Sequence, residues 1–194
     1  MILSDEHIIY EIECRKIFVG ETIRGVIYGE IKFYFEEDIE DVFSQPSYST
    51  KYPDVDTLEH SIYFQTNNKT IYTFWDSTFF SYGLLSKEID LKEMPNDYEK
   101  KWDVSNAEKW IEIIGKKIID FRINWEEVFS LNLDGTKKKS YIYPQTFILK
   151  TENDQTIILS AAEFKESEQN EIYGMSDNLL VTTNIELAKN LKIL

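Results

Sequence analysis

The chain has 194 residues, 42% of them hydrophobic and 14% aromatic, which is enough apolar material for a folded core. Its formal net charge of −14 argues against partners that need clustered Lys and Arg, namely nucleic acids and anionic membranes. The acidic N-terminal segment, the lack of an apolar run long enough to span a bilayer and the single cysteine lead us to expect a cytoplasmic protein.

In the first half of the chain, alternating apolar and polar residues predict strands. Residues 8–15 alternate and predict a half-buried strand, and residues 26–35 predict a second one. Residues 58–66 and 70–75 predict a hairpin across the turn 67–68, because Asn tolerates the left-handed backbone of a tight turn.

The alternation within residues 26–35 also predicts which side chains are buried. It places Ile27 and Ile31 toward the core and Tyr28 and Glu30 toward solvent. Gly29, in the middle of this strand, indicates a bulge or the close approach of a neighbouring segment.

The second half of the chain begins with a polar connection and adds helices to the strands. Residues 105–108 are typical of a capping box, so a helix is predicted over 106–114, and Gly115 is a suitable residue to end it. A second capping box, beginning at Thr183, predicts a C-terminal helix over 185–191. The other predicted strands are 146–151, 156–160 and 179–182.

The two halves resemble each other, which suggests an internal duplication. When the chain is slid against itself by ninety positions, residues 23–25 fall on 113–115 and residues 30–37 fall on 120–127. Further blocks match in the same order: 61–66 with 146–151, 69–72 with 155–158, and 81–85 with 176–180. The alternative is two unrelated β-rich halves that share the ordinary alternation of half-buried strands.

Together these elements predict an α+β fold that is mainly antiparallel β. We expect two tandem pseudo-repeat units, 1–97 and 98–194, with a linker helix between them and a C-terminal helix. Units of this size are near the lower limit for an independent core, so we expect them to pack on each other.

The first half carries most of the charge, because residues 1–97 hold 8 basic and 19 acidic side chains, a net charge of −11. Five carboxylates fall within six positions, partly in an insertion that the second half lacks: Glu36, Glu37, Asp38, Glu40 and Asp41. We interpret them as a docking patch for a basic protein surface. The alternative is a solvated acidic loop.

Six aromatic residues fall within eleven positions of the first half: Tyr72, Phe74, Trp75, Phe79, Phe80 and Tyr82. One strand and its following loop cannot easily bury all of them in a small core. They either pack against the other half or form an exposed interaction surface, for which Tyr and Trp are favoured anchors.

No residue pattern predicts a catalytic site, a cofactor site or a metal site. His7 and His60 are the only histidines, and His60 is interpreted as a solvated residue at a strand end. Cys14 is interpreted as a small core hydrophobe. The pairs Glu36–Glu37 and Glu126–Glu127 are adjacent residues that point to opposite faces of a strand, so neither pair alone forms a glycosidase-type clamp.

The sequence therefore favours a non-enzymatic, cytoplasmic protein that binds another protein of basic surface through its first half. An antidote to a basic toxin, such as a nuclease, would fit this composition. The alternatives are a structural scaffold subunit that associates with itself and, on weaker grounds, a carboxylate-dependent hydrolase. The sequence leaves the oligomeric state open.

Overall fold

The computed structural model describes residues 1–31, 46, 54–77, 83–90, 99–165 and 171–194. The helices are α1 (Asp5–Phe18), α2 (Glu108–Ile111) and α3 (Ile185–Asn190). The strands are β1 (Ile23–Ile31), β2 (Val55–Leu58), β3 (Ser61–Thr66), β4 (Thr70–Asp76), β5 (Gly83–Ile89), β6 (Glu99–Asp103), β7 (Ile118–Leu131), β8 (Lys137–Thr151), β9 (Thr156–Lys165) and β10 (Glu171–Thr182).

The strands form two five-stranded antiparallel sheets. The first sheet has the order β5-β4-β3-β1-β6, and the second has the order β2-β10-β9-β8-β7. The prediction of a mainly antiparallel α+β fold with a linker helix and a C-terminal helix is therefore confirmed. The predicted hairpin is also confirmed, as β3 and β4 pair across the turn 67–68.

One main hydrophobic core joins the halves of the chain. Phe18, at the end of α1, lies between the sheets, and its ring stacks on Phe121 of the second sheet with the ring centroids 5.0 Å apart. The same ring meets Phe64 of the first sheet edge-on, at 6.2 Å. The two sheets thus pack on a shared apolar interior, as expected of units too small to fold alone.

The predicted strand over 8–15 is wrong, because these residues lie inside α1. Ser4 is the N-cap, and its backbone N–H donates to His7 Nδ1 at 3.2 Å. In the helix, Tyr10, Cys14 and Phe18 follow one another at four-residue spacing and face the core. Residues i and i+4 share a face of a helix but residues i and i+2 do not, so the alternating apolar residues of 8–14 divide between the core and solvent.

The predicted facing of β1 is also wrong, since Tyr28 and Glu30 are buried and Ile27 is only half-buried. The opposite face of β1 carries Gly29, which pairs with Ser61 of β3. A Cβ added at Gly29 would lie 2.2 Å from Ser61 Oγ and 2.9 Å from Glu99 Oε2. The prediction of close packing at Gly29 is therefore confirmed.

Four strands of each sheet form a meander in chain order, β1-β3-β4-β5 in the first sheet and β7-β8-β9-β10 in the second. Thr66 pairs with Ile23, and Thr151 pairs with Ile118, with a bulge immediately after the first residue in both strands. These registers make Ile118 equivalent to Ile23, a slide of 95 positions. The match of 23–25 with 113–115 is thus wrong by five residues, while the duplication itself stays a prediction.

The junction between the halves has a local two-fold arrangement. Gly20 and Gly115 follow α1 and α2 with φ of 95° and 83°. Gly20 N donates to Ile118 O at 2.8 Å, and Gly115 N donates to Ile23 O at 2.7 Å. A second pair of hydrogen bonds joins the same segments: Ile23 N donates to Lys116 O at 3.0 Å, and Ile118 N donates to Glu21 O at 2.8 Å. Equivalent residues therefore exchange equivalent bonds, as in an isologous contact.

Candidate protein-binding surface

Helix α1 presents an apolar stripe to solvent. Ile8, Ile9 and Ile12 share the face opposite the core, and their exposed fractions are 47%, 54% and 48%. The residues that bury α1, such as Cys14 and Phe18, lie on the other side. A helix that is apolar on two faces but packed on only one has a face available for another molecule.

Acidic side chains border this stripe, which we call the α1 stripe (Ile8, Ile9, Ile12). Asp5 precedes it on the same face, Glu6 and Glu13 lie along one side of it, and Lys16 follows Ile12 one turn later. All three acidic residues are exposed. An apolar centre with a charged border is the usual composition of a protein–protein contact.

Helix α1 is fixed to both sheets, so the α1 stripe has a defined position. Tyr10 Oη donates to Leu84 O of β5 at 2.7 Å. Arg15 donates to Asp120 Oδ1 at 2.6 Å and to Phe121 O at 2.8 Å, both on β7. The hydrogen bond from Arg15 lowers the pKa of the Asp120 carboxyl below its ordinary value.

A second candidate surface lies on the outer face of the first sheet, around the buried carboxylate of Glu99. Glu99 accepts hydrogen bonds from His60 Nδ1 at 2.5 Å, from Ser61 Oγ at 2.9 Å, from Tyr63 Oη and from Tyr72 Oη at 3.3 Å. His60 is the donor to the ionised carboxylate, because a carboxylate only accepts. The interpretation of His60 as a solvated strand-end residue is wrong, since 13% of its side chain is exposed.

The surroundings of Glu99 keep it ionised. Burial alone would raise the pKa of its carboxyl, but the hydrogen bonds from His60, Tyr63 and Ser61 and the charge of His60 lower it below the ordinary value of 4.5. A carboxylate that is both buried and stabilised in this way fixes the side chains that contact it.

A shallow hollow of about 280 Å³ opens beside this network. It is lined by His60, Tyr72, Phe74, Trp75, Asp76, Ser77 and Lys87. Tyr72 stacks on Phe74 with the ring centroids 4.6 Å apart, and Lys87 Nζ lies 5.5 and 5.6 Å from the centroids of the same two rings. The hollow therefore offers aromatic faces to a cation.

The structure places three of the aromatic residues proposed for partner binding. Tyr72 is buried, and Phe74 and Trp75 are half-buried, so they contribute to the hollow rather than to a protruding surface. Trp75 Nε1 donates to Glu59 O at 2.6 Å, and its ring packs against the main core. The other proposed residues lie outside the described part of the chain: Glu36, Glu37, Asp38, Glu40, Asp41, Phe79, Phe80 and Tyr82.

A polar network connects β1, β2 and α2 between the sheets. Tyr28 Oη donates to Asp56 Oδ2 at 2.7 Å and accepts from Trp110 Nε1 at 3.0 Å. Lys109 Nζ lies 2.6 Å from the same Asp56 oxygen. An open hollow of about 510 Å³ borders this network. Because Tyr28, Asp56 and Trp110 are hydrogen-bonded to one another and Lys109 is held by an ion pair with Asp56, we assign the network a structural role.

Cys14, Glu126 and Glu127 were singled out in the sequence for their chemistry, and all three lie in the described part of the chain. Burial raises the pKa of the Cys14 thiol to about 12, as expected of a core cysteine. Glu126 is half-buried and Glu127 is exposed on β7. Within the described ranges, no group of His, Cys, Asp and Glu is arranged to hold a metal ion.

The sequence analysis missed the α1 stripe and the hydrogen bond between His60 and Glu99. The four-residue spacing of Tyr10, Cys14 and Phe18 after the capping residue Ser4 would have indicated the helix.

Among the described residues, no helix combines the length and the apolar character needed to cross a bilayer. Comparison with family models, curated proteins and solved structures found no match.

Proposed function

We propose that this protein binds another protein of basic surface through its first half and performs no chemistry of its own. The observation that carries the proposal is the exposed α1 stripe with its border of Asp5, Glu6 and Glu13. Apolar area supplies affinity, and the acidic border selects a basic partner and accelerates its approach.

The charge of the first half further supports a basic partner, since this half carries 8 basic and 19 acidic side chains, a net charge of −11. An antidote that covers the positive cleft of a toxic enzyme, such as a nuclease, needs these properties and no catalytic residues.

The test compares two charge-reversal variants that change the total charge equally. Glu6→Lys with Glu13→Lys alters the border of the α1 stripe. Asp154→Lys with Glu186→Lys alters distant side chains that are 91% and 78% exposed. Each variant and the unmodified protein would be immobilised at low salt, and the captured proteins would be identified and quantified by mass spectrometry.

The captured partner would then be purified and its association rate measured against all three proteins. We expect the border variant to associate about tenfold more slowly at low salt and the distant variant to change the rate about twofold or less. Circular dichroism would check that α1 persists, since reversing Glu6 near the helix start costs roughly 0.3–1 kcal/mol. Equal association rates for both variants would refute the role of the α1 stripe.

The acidic insertion is tested separately with the same partner. Reversing Asp38, Glu40 and Asp41 to Lys is expected to slow association many-fold at low salt, because these residues lie in the more acidic half. An unchanged rate would remove the insertion from the binding surface while leaving the α1 stripe in place.

A further inference from the structure

The hairpin of β7 and β8 continues beyond its pairing with β9. The last pair between β8 and β9 is Thr146 with Ser160, whereas β8 continues with β7 to the pair Lys137 with Leu131. From residue 127 to residue 141 every side chain but that of Val128 is exposed. We call this segment, 127–141, the arm.

Apolar side chains on the arm are open to solvent. Phe129, Leu131 and Leu133 are 45%, 58% and 111% exposed. Lys137 Nζ lies 3.6 Å from the Phe129 ring centroid, so a cation covers part of that ring. Exposed apolar residues on a two-stranded projection favour a contact with another chain.

The outer backbone edge of β7 is covered near α1 but not along the arm. Phe121 O accepts from Arg15, and Ile123 N donates to Glu11 Oε1 at 3.3 Å. Strand alternation gives the backbone groups of Glu127 and Phe129 the same outward orientation. Among the described strands, β7 pairs with β8 alone, so this part of the edge can accept another strand.

Charge is distributed unevenly along the arm. Glu126 and Glu127 lie at its base, and Lys137, Lys138 and Lys139 lie near its tip. When two such edges pair antiparallel about a two-fold axis, the tip of each arm lies beside the base of the other. The lysines lie on β8, but Lys137 reaches over the Phe129 ring of β7, so a positive charge lies close to the outer edge, near Glu127 of the mate, which makes the arm complementary to itself.

We propose that two copies of this chain associate through the outer edges of their β7 arms and form a homodimer with one continuous sheet. The pairing satisfies the outward backbone groups of Glu127 and Phe129 and covers both Phe129 rings. It uses the second half of the chain, so it leaves the α1 stripe available to a different protein.

The test is a charge exchange between base and tip. In one variant Lys137, Lys138 and Lys139 are changed to Glu, and in the other Glu126 and Glu127 are changed to Lys. Sedimentation velocity over a concentration series is expected to show a dimer for the unmodified chain. Each variant alone is expected to dissociate at a concentration about tenfold higher than the unmodified chain, or higher still, because like charges then meet. An equimolar mixture is expected to recover dimers, since the acidic tips of one variant meet the basic bases of the other.

A matched control reverses Asp154 and Glu186, which lie outside the arm, and is expected to dimerise like the unmodified chain. Phe129→Ser removes the arm's apolar contact but leaves its charges unchanged. We expect this variant to form a weaker dimer. A monomeric unmodified chain would overturn the proposal and leave the arm to a different protein. Variants that stay dimeric alone, or that fail to recover on mixing, would overturn it equally.

Discussion

Replacing Glu99 with Gln tests whether the buried carboxylate organises the outer face of the first sheet. The carboxylate accepts from four side chains: His60, Ser61, Tyr63 and Tyr72. Gln has the same shape but carries no charge and offers a single acceptor oxygen. Its amide N–H groups must then face some of the same donors.

The size of the effect follows from the number of lost bonds. A hydrogen bond to a charged group contributes about 1.5–3 kcal/mol, and a buried donor left without an acceptor costs about 1–3 kcal/mol. Some donors will turn to other partners, so we expect Glu99→Gln to lower the free energy of unfolding by about 3–5 kcal/mol. This is a large part of the roughly 5–15 kcal/mol typical of a domain.

The pH dependence gives a second measurement with a defined sign. The pKa of Glu99 in the folded protein is below the ordinary value of 4.5. Its stabilisation is therefore fully present above the pKa of the unfolded chain and is lost as the pH falls through the lower folded-state pKa. Glu99→Gln lacks this contribution, so the two proteins should approach each other in stability as the pH falls below about 4.

Urea unfolding followed by tryptophan fluorescence measures both quantities. Glu88→Gln is the matched control, because the Glu88 side chain is 53% exposed and pairs with Lys69 at the surface. We expect this control to change the free energy of unfolding by about 1 kcal/mol or less. A loss below about 1 kcal/mol for Glu99→Gln, or a loss that does not shrink at low pH, would refute the role assigned to Glu99.

Three glycine substitutions test the packing and the junction of the halves. Gly29→Ala places a Cβ 2.2 Å from Ser61 Oγ, so we expect a loss of about 1–3 kcal/mol in urea unfolding, and an unchanged midpoint would contradict the close approach. In Gly20→Ala and Gly115→Ala the added Cβ meets no atom within 4 Å, but alanine is forced into positive φ. We therefore expect each substitution to lower the free energy of unfolding by about 1 kcal/mol. Clearly unequal thermal midpoints of the two variants would contradict the equivalence of the two sites.

Local signals in the sequence predicted several elements correctly. The Asn67–Asn68 turn predicted the hairpin of β3 and β4, and the linker helix is present but ends at Ile111, three residues earlier than predicted. The C-terminal helix has the cap one residue later than predicted, at Asn184, whose side chain accepts from Leu187 N at 3.0 Å. Each of these features depends on residues within a few positions of one another, which is why sequence reasoning could find them.

The candidate sites depend on contacts that local reasoning cannot find. Glu99 and His60 are 39 residues apart, and only the pairing of β1 with both β3 and β6 brings them together. The arm was missed for a different reason. Its strand pairs are solvated on both faces, so the apolar alternation that marks a half-buried strand is weak there.

The wrong facing of β1 and the wrong slide between the halves have one cause. A slide of 90 positions placed Ile31 on Phe121, whereas the strand registers place Val26 there. The difference of five positions is odd, and an odd shift turns every side chain of a strand to the opposite face. Phe121 and Ile123 of the second half are buried. With the slide of 95, these two residues require Val26 and Tyr28 to face the core, and both are fully buried. The two halves therefore agree in facing once their registers are matched, while the duplication itself stays a prediction.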